Sequence, residues 1–261
     1  MPTSIARNYT KDGFVIAADG RMLDTADMRV ATDKMQKIFP FGDAQTLAYT
    51  CCGIARIGST TEEGEIAFDF TIAFSACAQA ISGKPYTSLQ DYLARCARKM
   101  HSDLQMAIGD RSELPGEPLP HEWGATIAEI VVDGYFKGFP SRAGIRFFHE
   151  NHKLACPEVL NYTVYVDTQF LYGVPGLEAQ IRLDGPLRHY LKSIDMVRDS
   201  VRLTEAVIAA IAYVEACAGP EAKLLNKRAS DAIGGHTHVA TITSDGGFEW
   251  VPGFEPADQQ S

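Results

Sequence analysis

The sequence contains no CxxC pair. Its six cysteines stand at 51, 52, 77, 96, 156 and 217, a spacing that argues against a zinc site or a disulfide framework. No run of Lys and Arg occurs, and a formal net charge of −9 removes the electrostatic basis for holding a phosphate backbone. Nucleic acid is therefore not expected as a partner. No stretch reaches the roughly eighteen uninterrupted apolar residues of a membrane span, and the start, MPTSIARNYTKDG, lacks the apolar core of a signal peptide. The expectation is a cytoplasmic chain with no membrane partner. No GxGxxG or GxxxxGKS/T motif follows a strand, and the Gly pair of DAIGGHTHV leads into a strand, so a phosphate-binding helix N-terminus is missing. No third ligand accompanies His236 and His238, which a strand would place on one face; neither metal nor cofactor is expected, and the pair is read as a polar rim to a cleft.

What is present is a chain of 261 residues, 46% hydrophobic, long enough for one large domain or two small ones. Strands are predicted at 3–9, 14–18 and 46–52, and helices at 68–81 and 87–107, the second opening on a capping-box pattern at Thr87 and Gln90. Cys77 and Cys96 fall in these helical patterns and are expected in the core. GDRSELPGEPLPHEW has three prolines and no apolar period, as befits an inserted surface loop. ATIAEIVV, GIRFFHE and TVYVDTQFLYGV then read as strands. A helix follows at 200–217, with Leu203, Val207, Ala210, Ile211 and Val214 as its apolar stripe and Gly219-Pro220 as its stop. HTHVATIT and FEWV close the chain as a hairpin through Asp245-Gly246. Runs of strands and runs of helices, without strict alternation, indicate an α+β fold with antiparallel sheets.

One stretch asks for an explanation. In TKDGFVIAADGRMLD the apolar residues Phe14 to Ala18 run straight into Asp19 and Arg21. A strand apolar on both faces is normally buried, so charges at its end mark either a simple return to the surface or a core that opens onto a cleft.

Taken with the element order, DGFVIAADGR resembles the early strand of proteasome β-subunits and of the related bacterial heat-shock peptidase, which are N-terminal nucleophile (Ntn) hydrolases. In that family a catalytic Thr begins the mature chain, about sixteen residues before an Asp, and a Lys follows just ahead of a short strand. Thr3, Asp19 and Lys37 match that spacing. CCGIARIG is similar to the family's turn into its first long helix, and IGGHTHVATITSDGGFEWV to its terminal hairpin.

The resemblance implies a four-layer αββα sandwich, two antiparallel sheets between helices, formed by a single domain over 1–261 with insertions near 109–122 and 180–198. It implies hydrolysis of peptide or other amide bonds by Thr3 once Met1 and Pro2 are removed. The Thr3 amine would serve as base, Lys37 would tune it, Asp19 would hold the lysine and Arg21 would brace the loop. An amide at Cys52 or Gly53 would stabilise the oxyanion. Alignment on the Gly pair puts Ser230 and Ile233 where the family carries its supporting residues, Asp231 matches the family's Asp with a one-residue gap, and Val174 stands where active subunits have a Ser. The implied partners are a peptide or protein substrate and further copies of the chain in a homo-oligomeric ring, with an ATPase partner left open. A subunit of the same fold without catalysis, serving assembly or binding, is the alternative.

Overall fold

The computed structural model describes residues 3–23, 29–42, 45–58, 66–81, 86–109, 117–118, 125–150, 153–166, 168–178 and 201–256. Met1 and Pro2, and nearly all of the insertions expected near 109–122 and 180–198, lie outside them. The described elements begin with β1 (Ile5–Thr10), β2 (Gly13–Ala18), β3 (Met22–Leu23), β4 (Val30–Thr32), β5 (Ile38–Phe41), β6 (Leu47–Gly53), β7 (Arg56–Gly58) and β8 (Ile66–Asp69). Helices α1 (Phe70–Ile81) and α2 (Leu89–Ile108) follow. Next come β9 (Glu117–Pro118), β10 (Ala125–Phe136), β11 (Phe139–Glu150), β12 (Lys153–Leu154), β13 (Glu158–Tyr162) and β14 (Thr168–Tyr172). Helices α3 (Leu203–Ala218) and α4 (Pro220–Asp231) and strands β15 (His238–Thr243) and β16 (Gly247–Trp250) complete the order. The fold class is α+β, as runs of strands and runs of helices without strict alternation predict. The chain divides into two compact units, one of residues 41–163, the other of residues 2–40 and 164–261.

The second unit is built on an antiparallel sheet in the order β14-β1-β2-β15-β16. Every residue of β1 and β2 is buried; β2 is apolar on both faces, whereas β1 also buries Arg7, Asn8 and Thr10. Ala6, Val15, Ala17 and Val239 present one face of the sheet to α3, and Asn8 donates from Nδ2 to the Ala206 carbonyl at 3.0 Å. The helix meets them with Ala206, Ala209, Ala210, Tyr213 and Cys217. This contact is rotated from the expected stripe: Leu203, Val207 and Ile211 are only partly buried. Small side chains let the helix axis approach the sheet closely, and that gain outweighs burying the larger residues at the helix flank. Gly219 ends α3 and Pro220 starts α4 at its first position, where a missing N–H costs nothing.

In the first unit β10 is flanked by β6 and β11, while β9 pairs with β10 and both β12 and β13 pair with β11. Strands β10 and β11 are joined at Lys137 and Gly138, both in the left-handed region with φ of 54° and 79°. That two-residue turn matches strand twist, and it extends the hairpin well beyond ATIAEIVV and GIRFFHE. TVYVDTQFLYGV yields a shorter strand than expected, Thr168–Tyr172, and Glu158–Tyr162 forms another before it. Helix α1 starts after β8: Asp69 Oδ1 accepts from the amides of Thr71 and Ile72 at 2.9 and 3.1 Å, and Arg56 pairs with its other oxygen at 2.7 Å. Helix α2 is capped by Ser88 rather than Thr87. Its hydroxyl accepts from Asp91 N at 3.1 Å, and the Asp91 carboxylate favours the helix N-terminus. Phe41 meets Tyr49 and Phe74 edge-on, Tyr49 and Phe74 pack at a tilt in the core of this unit, and Cys77 and Cys96 are buried as expected. No single described helix is long and apolar enough to cross a membrane.

Candidate active site

Asp19 follows the last residue of β2 and its side chain is wholly buried. The β1–β2 register, with Ile5 opposite Ala18, brings Ser4 opposite Asp19, and the Asp19 amide donates to the Ser4 carbonyl at 3.1 Å. The carboxylate accepts from four donors. Oδ1 takes the Ser4 amide at 2.9 Å and Lys37 Nζ at 2.8 Å; Oδ2 takes the amides of Arg21 at 3.2 Å and Gly234 at 3.3 Å. A buried carboxylate is tolerated only when it is paired and hydrogen-bonded in this way. Lys37 lies just ahead of β5 with its side chain 10% exposed, so most of its stem is buried and its charge is directed at Asp19. At the charged strand end Asp19 does not return to solvent, whereas Arg21 is partly exposed.

Thr3, also buried, adjoins Ser4, the residue tied to Asp19. Thr3 and Ser4 directly precede β1, and its alternation continued through them would send their side chains to opposite faces. The Ser4 hydroxyl lies on the α3 side beside the Cys217 thiol, which burial pushes up from its ordinary value. Gly173 faces the same point: a Cβ there would stand 2.5 Å from Cys217 Sγ and 3.5 Å from Ser4 Oγ.

Arg21 is the brace. Its Nε donates to Asp33 Oδ1 at 2.8 Å and its Nη1 to the carbonyls of Asp231 at 3.0 Å and Ile233 at 3.4 Å. Hydrogen bonding to Asp33 raises its pKa further above the ordinary value. Gly20 and Gly235 allow the segment carrying Asp33 to pass close: a Cβ on Gly235 would meet the Asp33 carbonyl at 2.5 Å, and one on Gly20 would meet it at 2.8 Å. Gly20 N donates to Gly234 O at 3.1 Å, and Met35 N to Gly20 O at 2.8 Å. Asp33 is a site residue that sequence reasoning does not single out. The signal is slight: an acid in ATDKMQK four residues before Lys37.

No protein-family model and no curated protein matches the sequence. Among solved structures, Anbu (ancestral β-subunit) from Yersinia bercovieri superposes with a TM-score of 0.53 over 97% of this chain and 88% of that one, at 10% identity. The chain has a proteasome-like fold. A mutant of Anbu from Hyphomicrobium sp. strain MC1 is also similar, with a TM-score of 0.47, 16% identity and coverage of 99% and 89%. The likeness is to Anbu; the bacterial heat-shock peptidase is not singled out.

On this proteasome-like fold the remaining sequence candidates are placed as follows. Cys52 and Gly53 lie in the first unit at the end of β6, Gly53 with φ of 85°. Ser230 is buried and donates its hydroxyl to the Cys217 carbonyl at 2.8 Å, tying α4 to the end of α3. Asp231 contributes its carbonyl to Arg21, while its carboxylate pairs with Lys227 at 2.9 Å and Lys223 at 3.2 Å; those lysines, Lys227 foremost, lower its pKa. Val174 belongs to the apolar core and brings no hydroxyl. His236 and His238 share a face, their rings 5.0 Å apart, but His238 is fully buried and packs edge-on toward Trp250, so only His236 fits a polar rim. No group of three His, Cys, Asp or Glu suited to a metal ion occurs among the described residues.

Proposed function

We propose that this chain is a proteasome-like N-terminal threonine hydrolase that cleaves peptide bonds, with Thr3 as nucleophile once the residues before it are removed. The observation that carries this is the buried Asp19–Lys37 pair, tied through the Ser4 amide to the residue next to Thr3. The freed Thr3 amine, ordinarily near pKa 8, takes the proton of its own hydroxyl as that oxygen attacks the carbonyl carbon. The Lys37 charge lowers the proton affinity of both groups, keeping a fraction of the amine unprotonated at neutral pH. The C–N bond then breaks, the amine returns its proton to the leaving nitrogen, and water hydrolyses the resulting ester. On the same reading the amide of Cys52 or Gly53 would be the oxyanion donor, a role worth about 3 kcal/mol. The whole chain acts as one hydrolase domain in a four-layer sandwich, in a homo-oligomeric ring in the cytoplasm.

A second reading is a subunit of the same fold that binds or assembles without catalysis. It is favoured by Val174, by the engagement of the Ser230 hydroxyl with Cys217 and by the pairing of Asp231 with lysines. Intact mass measured alongside hydrolysis of a peptide library separates the two. The hydrolase reading expects an active species beginning at Thr3, and neither processing nor activity in Thr3→Ala. Full activity in protein still carrying Pro2 would overturn it, because the Thr3 nitrogen is then an amide and no base.

A further inference from the structure

Asp33 has no part in the chemistry above, yet three segments meet at it. Its carboxylate receives Arg21 through two parallel bonds, Nε to Oδ1 at 2.8 Å and Nη2 to Oδ2 at 3.4 Å. Its carbonyl accepts the His236 amide at 2.7 Å. The turn between these contacts is Gly234-Gly235, with φ of 146° and 74°, backbone that only glycine adopts readily and that has no side chain to anchor it. That turn supplies the Gly234 amide to Asp19 Oδ2.

We infer that Asp33 is a positioning residue for the Asp19–Lys37 pair: it fixes the guanidinium of Arg21, which clamps the carbonyls ahead of Gly234 and so keeps that amide on Asp19. The catalytic consequence rests on the hydrolase reading; the structural one does not. A planar guanidinium offers donors in a fixed fork, so holding Nε and Nη2 on a carboxylate leaves Nη1 aimed in a single direction. Here that direction is the carbonyls of Asp231 and Ile233. Arg21 is 25% exposed, so without Asp33 it can exchange those carbonyls for water. The glycine turn then loses its outer restraint, and Asp19 loses one of the two amides on Oδ2 while Oδ1 still carries Lys37. Rotation of the carboxylate would move the lysine with it. Asp33 thus acts at two removes and touches no reacting atom.

The test uses the full chain and four variants: Asp33→Asn, Asp33→Glu, Arg21→Gln, and Arg21→Gln combined with Asp33→Asn. Amide hydrogen exchange is read at Gly234, with the amides of β1 and β2 as reference, and kcat and KM are measured on a peptide. In Asp33→Asn, exchange at Gly234 rises roughly two- to fivefold, the range that an exposed ion pair supports, while the reference amides are unchanged. The kcat falls by a similar factor and KM holds. Asp33→Glu recovers part of both effects, and Asp33→Asn adds nothing once Arg21 is Gln. Unchanged exchange at Gly234 in Asp33→Asn overturns the inference, as does a further loss on the Arg21→Gln background. Raised exchange with wild-type kcat overturns its catalytic part. If the wild-type chain cleaves no peptide at all, the hydrolase reading fails, and the exchange measurements still decide whether Asp33 positions Gly234.

Discussion

Lys37 Nζ lies 2.8 Å from Asp19 Oδ1, joining a wholly buried carboxylate to a lysine whose side chain is 10% exposed. Removing the lysine strands a charge in the interior, so Lys37→Ala is expected to lose stability as well as hydrolysis. Breaking a buried pair costs about 3–5 kcal/mol, and the three amides that remain on Asp19 place this site at the lower end. Replacing both charges, as Asp19→Asn with Lys37→Met, removes the stranded charge but turns an NH2 group toward backbone amides that the carboxylate accepts, so only part of the stability and none of the activity should return. Urea denaturation and peptide hydrolysis measured on both variants check this. A double variant with wild-type turnover would show that the pair is structural only.

Gly235 should not accept alanine. Its φ is 74°, and an added Cβ would stand 2.5 Å from the Asp33 carbonyl, so both backbone conformation and space are against it. The expected cost is about 1–3 kcal/mol. Hydrolysis should fall further than the fraction unfolded explains, since the strain falls on the turn that carries the Gly234 amide. Circular dichroism melts and kcat settle the point, and an unperturbed Gly235→Ala would mean that the turn relaxes freely.

Much of this arrangement is legible in the chain, and for identifiable reasons. Strand β2 announces itself because both of its faces are apolar, and Asp19 stands out against that background. Lys37 is singled out only through the resemblance to proteasome β-subunits, and the structure pairs it with Asp19. The alanine face of α3 is hidden because apolar stripes are traced through large residues, whereas helix-to-sheet packing here rewards small ones. Asp33 is hidden because its role depends on contact with Arg21 and His236, and a lone acid in a polar segment carries no such mark. The Lys137-Gly138 turn escapes notice because the lysine has no turn preference; its φ of 54° is imposed by the strands on either side. Sequence order likewise aligns Asp231 with a supporting carboxylate, but at the end of α4 two lysines compete for it.

Acid sensitivity should be traceable to Asp69. Burial would raise its pKa, but hydrogen bonds from Thr71, the Ile72 amide and Arg56 prevail and lower it below the ordinary 3.8. A carboxyl whose folded pKa is depressed gives stability that is complete above its unfolded pKa and fades as pH falls through the folded one. Asp69→Asn removes that contribution, so its stability should lie below wild type at neutral pH and the gap should narrow below pH 3.8. Asn keeps an oxygen for the Thr71 and Ile72 amides, so the gap reports the lost charge at the helix N-terminus and on Arg56, about 0.3–1 kcal/mol. Denaturation midpoints from neutral to acid pH test it, and a gap that widens toward acid would contradict the assignment.

Thr3 and Ser4 adjoin, and both carry a hydroxyl, so the nucleophile must be assigned by face. Ser4 is fully buried with its hydroxyl beside Cys217, on the side of the sheet covered by α3. Its amide, which every residue except proline retains, is the group that Asp19 uses. Ser4→Ala should therefore keep most of the hydrolysis and change stability by no more than about 1 kcal/mol. Thr3→Ala should abolish hydrolysis at little cost in stability, and Thr3→Ser should keep part because it preserves both hydroxyl and amine. A peptide bearing an electrophilic carbonyl should label the fragment Thr3–Arg7 of the processed protein, and labelling should persist in Ser4→Ala. Labelling that disappears in Ser4→Ala and survives in Thr3→Ala would transfer the nucleophile to the buried face and refute the proposed chemistry.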